Sequence, residues 1–130
     1  MATLRRVLLF SRDVERAAAW YAALGLRVSA LSLPSYARLE GGGGLAIDLQ
    51  HTDSEAAMSV GYGPLLCFSV PGGLDALVPA LLAAGGRLDG AIAHSELAQV
   101  ACLRSPDGHL CSIIEEAEVA EAAAAAGPLR

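Results

Sequence analysis

The chain has 130 residues, 54% of them hydrophobic, and a net charge of −5. That length is one domain's worth, and that hydrophobicity excludes a disordered chain. The acidic balance, with Arg5-Arg6 as the only adjacent basic pair, argues against a nucleic-acid partner, because no basic stripe is present to neutralise phosphates.

No apolar run approaches the roughly 20 residues that span a bilayer, so no membrane partner is expected. The first residues, Met1 to Arg6, carry no charged leader followed by a long apolar stretch, and a cytoplasmic chain is expected. Cys67, Cys102 and Cys111 form an odd set within apolar, strand-like runs. This fits packed thiols in a reducing compartment better than disulfides.

Val7 to Phe10 reads as a strand. Asp13 then suits the N-cap of a helix, where its carboxylate accepts from first-turn amides. Val14, Ala17, Tyr21 and Leu24 fall on one helical stripe, and Gly25 suits the left-handed residue that ends the helix. Trp20 sits at the edge of the stripe, in core packing or a dimer contact. Leu26–Ser32, Tyr36–Glu40 and Leu45–Gln50 read as strands, with a Pro34-Ser35 turn and a flexible loop over Gly41–Gly44. That glycine run lacks the Gly-Lys-Ser/Thr ending of a phosphate loop. Residues 51–64 are polar and read as a linker.

A second unit then repeats the first. Leu66-Cys67-Phe68-Ser69 echoes Leu8-Leu9-Phe10-Ser11, and Ala83-Ala84-Gly85-Gly86-Arg87-Leu88 echoes Ala22-Ala23-Leu24-Gly25-Leu26-Arg27. Leu74, Leu77, Val78 and Leu81 form its helical stripe, with Pro79 in or just past the first turn. Arg87–Ile92 and Leu97–Leu103 read as strands, Ser105-Pro106-Asp107-Gly108 as a turn, and Leu110–Ile114 as the last strand. His94 falls in a loop. The predicted fold class is therefore α+β, built from two tandem βαβββ modules: module one over 4–50, linker over 51–64 and module two over 65–116, within a single domain over 1–118. The Ala/Glu-rich tail over 117–130 reads as a frayed appendage or a docking helix.

The doubled unit, Val7-Leu8-Leu9-Phe10-Ser11-Arg12-Asp13 leading into Ala19-Trp20-Tyr21-Ala22-Ala23-Leu24-Gly25-Leu26, and Arg104-Ser105-Pro106-Asp107-Gly108-His109 before the last strand resemble the glyoxalase/bleomycin-resistance/dioxygenase (vicinal oxygen chelate) superfamily. The resemblance implies a half-open curved mixed sheet with helices outside, and a homodimer in which modules are sometimes exchanged. It also implies, in the enzymes, a divalent metal held by residues of the first and fourth strands of each module.

Carried onto this chain, those metal positions are Arg6, Asp48, Leu65 and Ser112. Only Asp48 is a good ligand: Arg6 is a fixed cation, Leu65 has no donor atom, and a neutral serine binds metal poorly. His51 and His109 lie three residues from Asp48 and Ser112, an odd offset that points to the other face of a strand. No cofactor, no catalytic residue and no metal site are expected, except a rearranged site at Asp48.

Strand parity with the implied inward positions gives a cavity-facing set of Arg6, Leu8, Phe10, Ala46, Asp48, Gln50, Leu65, Cys67, Ser69, Leu110, Ser112 and Ile114. The expected ligand-binding residues are Arg6, Leu8, Phe10, Asp48, Gln50, Leu65, Cys67 and Ser112, a largely apolar lining with few polar groups. Arg6 either pairs with Asp48 or anchors an anion. Cys67 is either a packed core thiol or a reactive one. Tyr36 and Tyr62 are ordinary aromatics or stack on a flat ligand at the cavity mouth. The leading function is a metal-free small-molecule-binding protein, with sequestration of a drug or metabolite as the role the resemblance implies. The alternatives are a metal-dependent lyase, isomerase or dioxygenase with a rearranged site, and an interaction scaffold with a filled cavity.

Overall fold

The structure, a computed structural model, describes residues 1–59, 63–94 and 98–115. The first module runs β1 (Arg6–Ser11), α1 (Val14–Leu24), β2 (Arg27–Ser32), β3 (Tyr36–Glu40) and β4 (Ala46–His51), and its sheet has the order β1-β4-β3-β2. A short helix, α2 (Glu55–Met58), interrupts the expected linker. The second module runs β5 (Leu66–Val70), α3 (Leu74–Ala83), β6 (Arg87–Leu88), β7 (Ala93–His94), β8 (Gln99–Arg104) and β9 (Leu110–Glu115). Its order, β5-β9-β8-β6 with β7 also on β8, repeats the first. In both sheets the first and last strands pair in parallel and the rest antiparallel. The fold is α+β, with two open sheets rather than a closed barrel.

Several expectations need correction. The strand expected over 87–92 is broken: β6 pairs with Arg104 and Leu103, the chain leaves the ladder after Asp89, and β7 rejoins at Val100 and Gln99. Gly90, at φ +93°, makes the break. His94 therefore lies in β7, not in a loop. Leu65 precedes β5 instead of lying in it, and His51 ends β4 instead of opening the linker. Pro79 is the sixth residue of α3, on its exposed side, just past the first turn as expected. Tyr62 and the tail lie outside the described residues.

One core joins the modules. The stripe of α1 (Val14, Ala17, Tyr21, Leu24) is buried against β3 and β4, whose Ala37, Leu39, Ile47 and Leu49 supply the other side. Leu74, Val78 and Leu81 of α3 extend the same cluster to Ala101, Leu103, Cys111 and Ile113. Each large apolar side chain so buried contributes about 1.5–3 kcal/mol relative to exposure.

Trp20 is wholly buried inside its own chain, which removes the dimer-contact reading. Its Nε1–H donates to Leu81 O at 3.0 Å, and its ring meets Tyr21 edge-on. Two further bonds tie the modules: Arg12 N–H donates to Asp107 Oδ1 (3.0 Å), and buried His109 Nε2–H donates to Phe10 O (2.9 Å). His109 is thus spent on the junction, as its strand parity requires.

Candidate functional site

The faces of the sheets that do not carry the helices hold the candidate site. On the first sheet, register places side chains in three rows across the strands. Arg6, Ala46, Glu40 and Arg27 form one; Leu8, Asp48, Arg38 and Ala30 the next; Phe10, Gln50, Tyr36 and Ser32 the third. Rows lie about 7 Å apart along a strand. On the second sheet, Cys67, Ser112 and Cys102 form the corresponding central row.

Asp48 is the centre of the first face and is only 7% exposed. Arg38 clasps it with two bonds, Nε to Oδ1 at 2.7 Å and Nη2 to Oδ2 at 3.2 Å. Arg6 approaches more loosely, Nε to Oδ2 at 3.5 Å. The Arg38 guanidinium also sits 6.0 Å from the ring centroid of Tyr36. The bonds from Arg38, and further the neighbouring Tyr36 hydroxyl and the charges of Arg38 and Arg6, hold the Asp48 carboxyl below the usual carboxylate range against the opposing effect of its burial. Reciprocally, Asp48 raises the pKa of Arg38. The Tyr36 hydroxyl is pushed up, first by burial and then by Asp48.

Sequence reasoning anticipated the Arg6–Asp48 pair but missed Arg38, the stronger partner. The signal was available: in β3, Tyr36, Arg38 and Glu40 alternate with buried Ala37 and Leu39, so Arg38 must share a face with Asp48.

The remaining expected residues are placed as follows. Leu8 and Phe10 are 51% and 39% exposed, and Gln50 is half-buried. On the second sheet Leu65 is 50% exposed, Ser112 is buried, and Cys67 is exposed instead of packed in the core. The buried thiol is Cys111, which faces the core, and burial pushes its pKa up to about 12. In the single chain, then, Leu8, Phe10, Leu65 and Cys67 stand exposed on open sheet surfaces, while Asp48 and Ser112 are buried at the centres of theirs. Two surface hollows lie elsewhere: one of about 330 Å³ lined by Arg12, Arg16, Met58 and Asp107, and one of about 180 Å³ lined by Arg12, Val14, Leu33 and His51.

The residues at the four implied metal positions do not fit a metal. Both oxygens of Asp48 are bonded to Arg38, and a second guanidinium stands beside them. Leu65 offers no donor and Ser112 only a hydroxyl. Among the described residues, no group of three or more His, Cys, Asp or Glu side chains is placed to hold an ion.

Known proteins locate the chain by family. The sequence profile described as the Glyoxalase/Bleomycin resistance protein/Dioxygenase superfamily matches residues 3–113, and the chain belongs to this superfamily. No curated protein matches it. Among solved structures, it is similar to a glyoxalase/bleomycin resistance protein/dioxygenase family enzyme from Burkholderia phytofirmans PsJN, with 25% identity and TM-score 0.73 over 88% of this chain and 99% of that one. A glyoxalase-related enzyme from Fulvimarina pelagi shares 19% identity at TM-score 0.71, covering 89% of each chain. A lactoylglutathione lyase from Agrobacterium tumefaciens shares 19% identity at TM-score 0.61, over 88% of this chain and 94% of that one. The last two likenesses concern the fold alone.

Proposed function

We propose that this chain is a small-molecule-binding protein of the superfamily that works without a catalytic metal. The observation that carries the reading is the clamp on Asp48: the one acidic residue at the implied metal positions has both carboxylate oxygens bonded to Arg38, with Arg6 alongside. A cation entering there would have to displace Arg38 from a buried carboxylate and then sit beside two guanidinium groups. What is left is a surface that mixes the exposed apolar side chains Leu8, Phe10 and Leu65 with polar ones, a combination that suits a small organic molecule. Arg6, Leu8, Phe10, Asp48 and Gln50 contribute it from the first sheet; Leu65, Cys67 and Ser112 contribute from the second.

The openness of these faces supports a second element of the proposal, a homodimer, which we place in the cytoplasm. Leu8, Phe10 and Leu65 are large apolar side chains left in water by the single chain, and a second copy covering them would turn open sheet into an enclosed site. Among the described residues no helix is long and apolar enough to cross a membrane.

A thermal-shift series tests the binding reading. Small carboxylates, phosphates and flat aromatics are titrated against the purified chain. A true ligand raises the melting temperature progressively, by the equivalent of about 2.7 kcal/mol at one hundred times its dissociation constant. If no compound of any class shifts the transition, the binding reading is wrong and an interaction surface takes its place.

A further inference from the structure

Resting on that reading, we propose that the ligand is a small organic carboxylate with a flat apolar body, its acid group anchored by Arg6 and its body lying along β1 over Leu8 toward Phe10. The central cluster of the first sheet holds two guanidinium groups, Arg6 and Arg38, against one carboxylate, Asp48. In the neighbouring row Arg27 and Glu40 cancel each other through a 2.8 Å bond. The other members of the three rows are uncharged. The face therefore carries one surplus positive charge on a protein whose net charge is −5. A single carboxylate balances it; a dianionic phosphate overshoots.

The surplus belongs to Arg6. Arg38 spends both its fork and its position on Asp48, with bonds of 2.7 and 3.2 Å. The Arg6 side chain makes no hydrogen bond among the described residues, and its one polar contact there is the 3.5 Å approach to an oxygen that Arg38 already holds. Its side chain is 51% exposed. A guanidinium in this state keeps most of its donors for a planar bidentate partner, and a carboxylate matches that fork. Asp48 meanwhile holds the side chain over the sheet.

The apolar half of the ligand is defined by what lies next along β1. Leu8 and Phe10 follow Arg6 on the same face at steps of about 7 Å, both exposed, and Tyr36 shares a row with Phe10 across Gln50. An acid whose body extends about 10 Å from its carboxylate spans Arg6 and Leu8 and reaches the edge of Phe10. A cationic ligand would instead meet the surplus charge, and a bare inorganic anion would leave the apolar strip in water.

The test uses the full chain and three probes of one shape, 2-naphthoate, 2-naphthamide and 2-naphthylmethylamine, titrated by naphthyl fluorescence and checked by amide NMR shifts of β1 and β4. Expected are binding of the acid at least about tenfold tighter than the amide and weakest binding by the amine. Raising salt from about 0.05 to about 0.5 M should weaken the acid alone. Arg6→Ala should bring the acid to the level of the amide, while Arg6→Lys should keep part of the preference because it keeps the charge but not the fork. Circular dichroism of both variants checks that they fold. Equal binding of acid and amide by the native chain, or an acid preference that survives Arg6→Ala, overturns the anion inference and leaves small-molecule binding standing. Absence of binding by all three probes overturns the carboxylate inference alone; small-molecule binding falls with it only where the thermal-shift series is also silent.

Discussion

At the scale of single residues, the account turns on Asp48 and its partners. A carboxylate this buried would be costly alone, and two guanidinium groups make it tolerable. Its folded-state pKa lies below the unfolded value of about 3.9. The pair therefore adds stability at pH values above about 4 and loses it as pH falls through the folded value. Urea denaturation between about pH 2 and 7 should show this as a steep acid limb. Asp48→Asn should flatten that limb while lowering stability at neutral pH; superimposable pH profiles for the two proteins would contradict the assignment. That Asp48 matters was legible in the sequence, because it is the one chelating side chain at the four implied positions. That Arg38 matters was missed, because the family comparison directs the eye to first and fourth strands, while β3 supplies the partner through alternation alone.

At the scale of elements, the modules are welded where the end of α3 meets α1. Leu81 O accepts from both Trp20 Nε1–H and the amide of Gly86, each at 3.0 Å. A Cβ on Gly86 would fall 2.5 Å from Trp20 Nε1 and 3.0 Å from Leu81 O, so only glycine lets the indole approach. Gly86→Ala should cost about 1–3 kcal/mol in chemical denaturation, the usual effect of overpacking. Gly42→Ala, in a loop where an added Cβ meets nothing within 4 Å, should stay within about 0.5 kcal/mol. Equal costs at the two positions would show that the junction yields easily. The glycines after each helix were legible from the repeat, but their separate uses were not. Gly25 takes φ +119° to end α1 with its amide bonded to Ala22 O, whereas Gly86 is required by a tryptophan 66 positions earlier in the chain. Contacts that distant leave no local signature. The broken edge strand at Asp89–Ile92 differs: Asp89-Gly90 is a local turn signal, and reading the segment as one strand passed over it.

At the scale of the whole molecule, the repeat predicted the topology well. Both sheets run first strand, last strand, third strand and second strand: the helix carries the chain from the first strand to the far edge, and the antiparallel strands then return until the last pairs in parallel with the first. What periodicity could not convey is that one chain leaves its site faces open. Alternation tells which side chains share a face, not what covers it, so Cys67, Leu8 and Phe10 read as lining and stand exposed. If a second copy covers them, sedimentation velocity should find a dimer at micromolar concentration, and Leu8→Glu with Leu65→Glu should convert it to a folded monomer that binds ligand weakly. A monomeric native chain, or a dimer indifferent to both changes, would place the interface elsewhere.

The clamp on Asp48 faces its most direct trial in metal analysis of the native protein after exposure to zinc, nickel, manganese and iron(II) followed by gel filtration. The guanidinium-bound carboxylate predicts only traces of each ion, unchanged by Asp48→Ala. A near-stoichiometric divalent ion that Asp48→Ala releases would mean that the arginines step aside for a metal, and the metal-free account would fail.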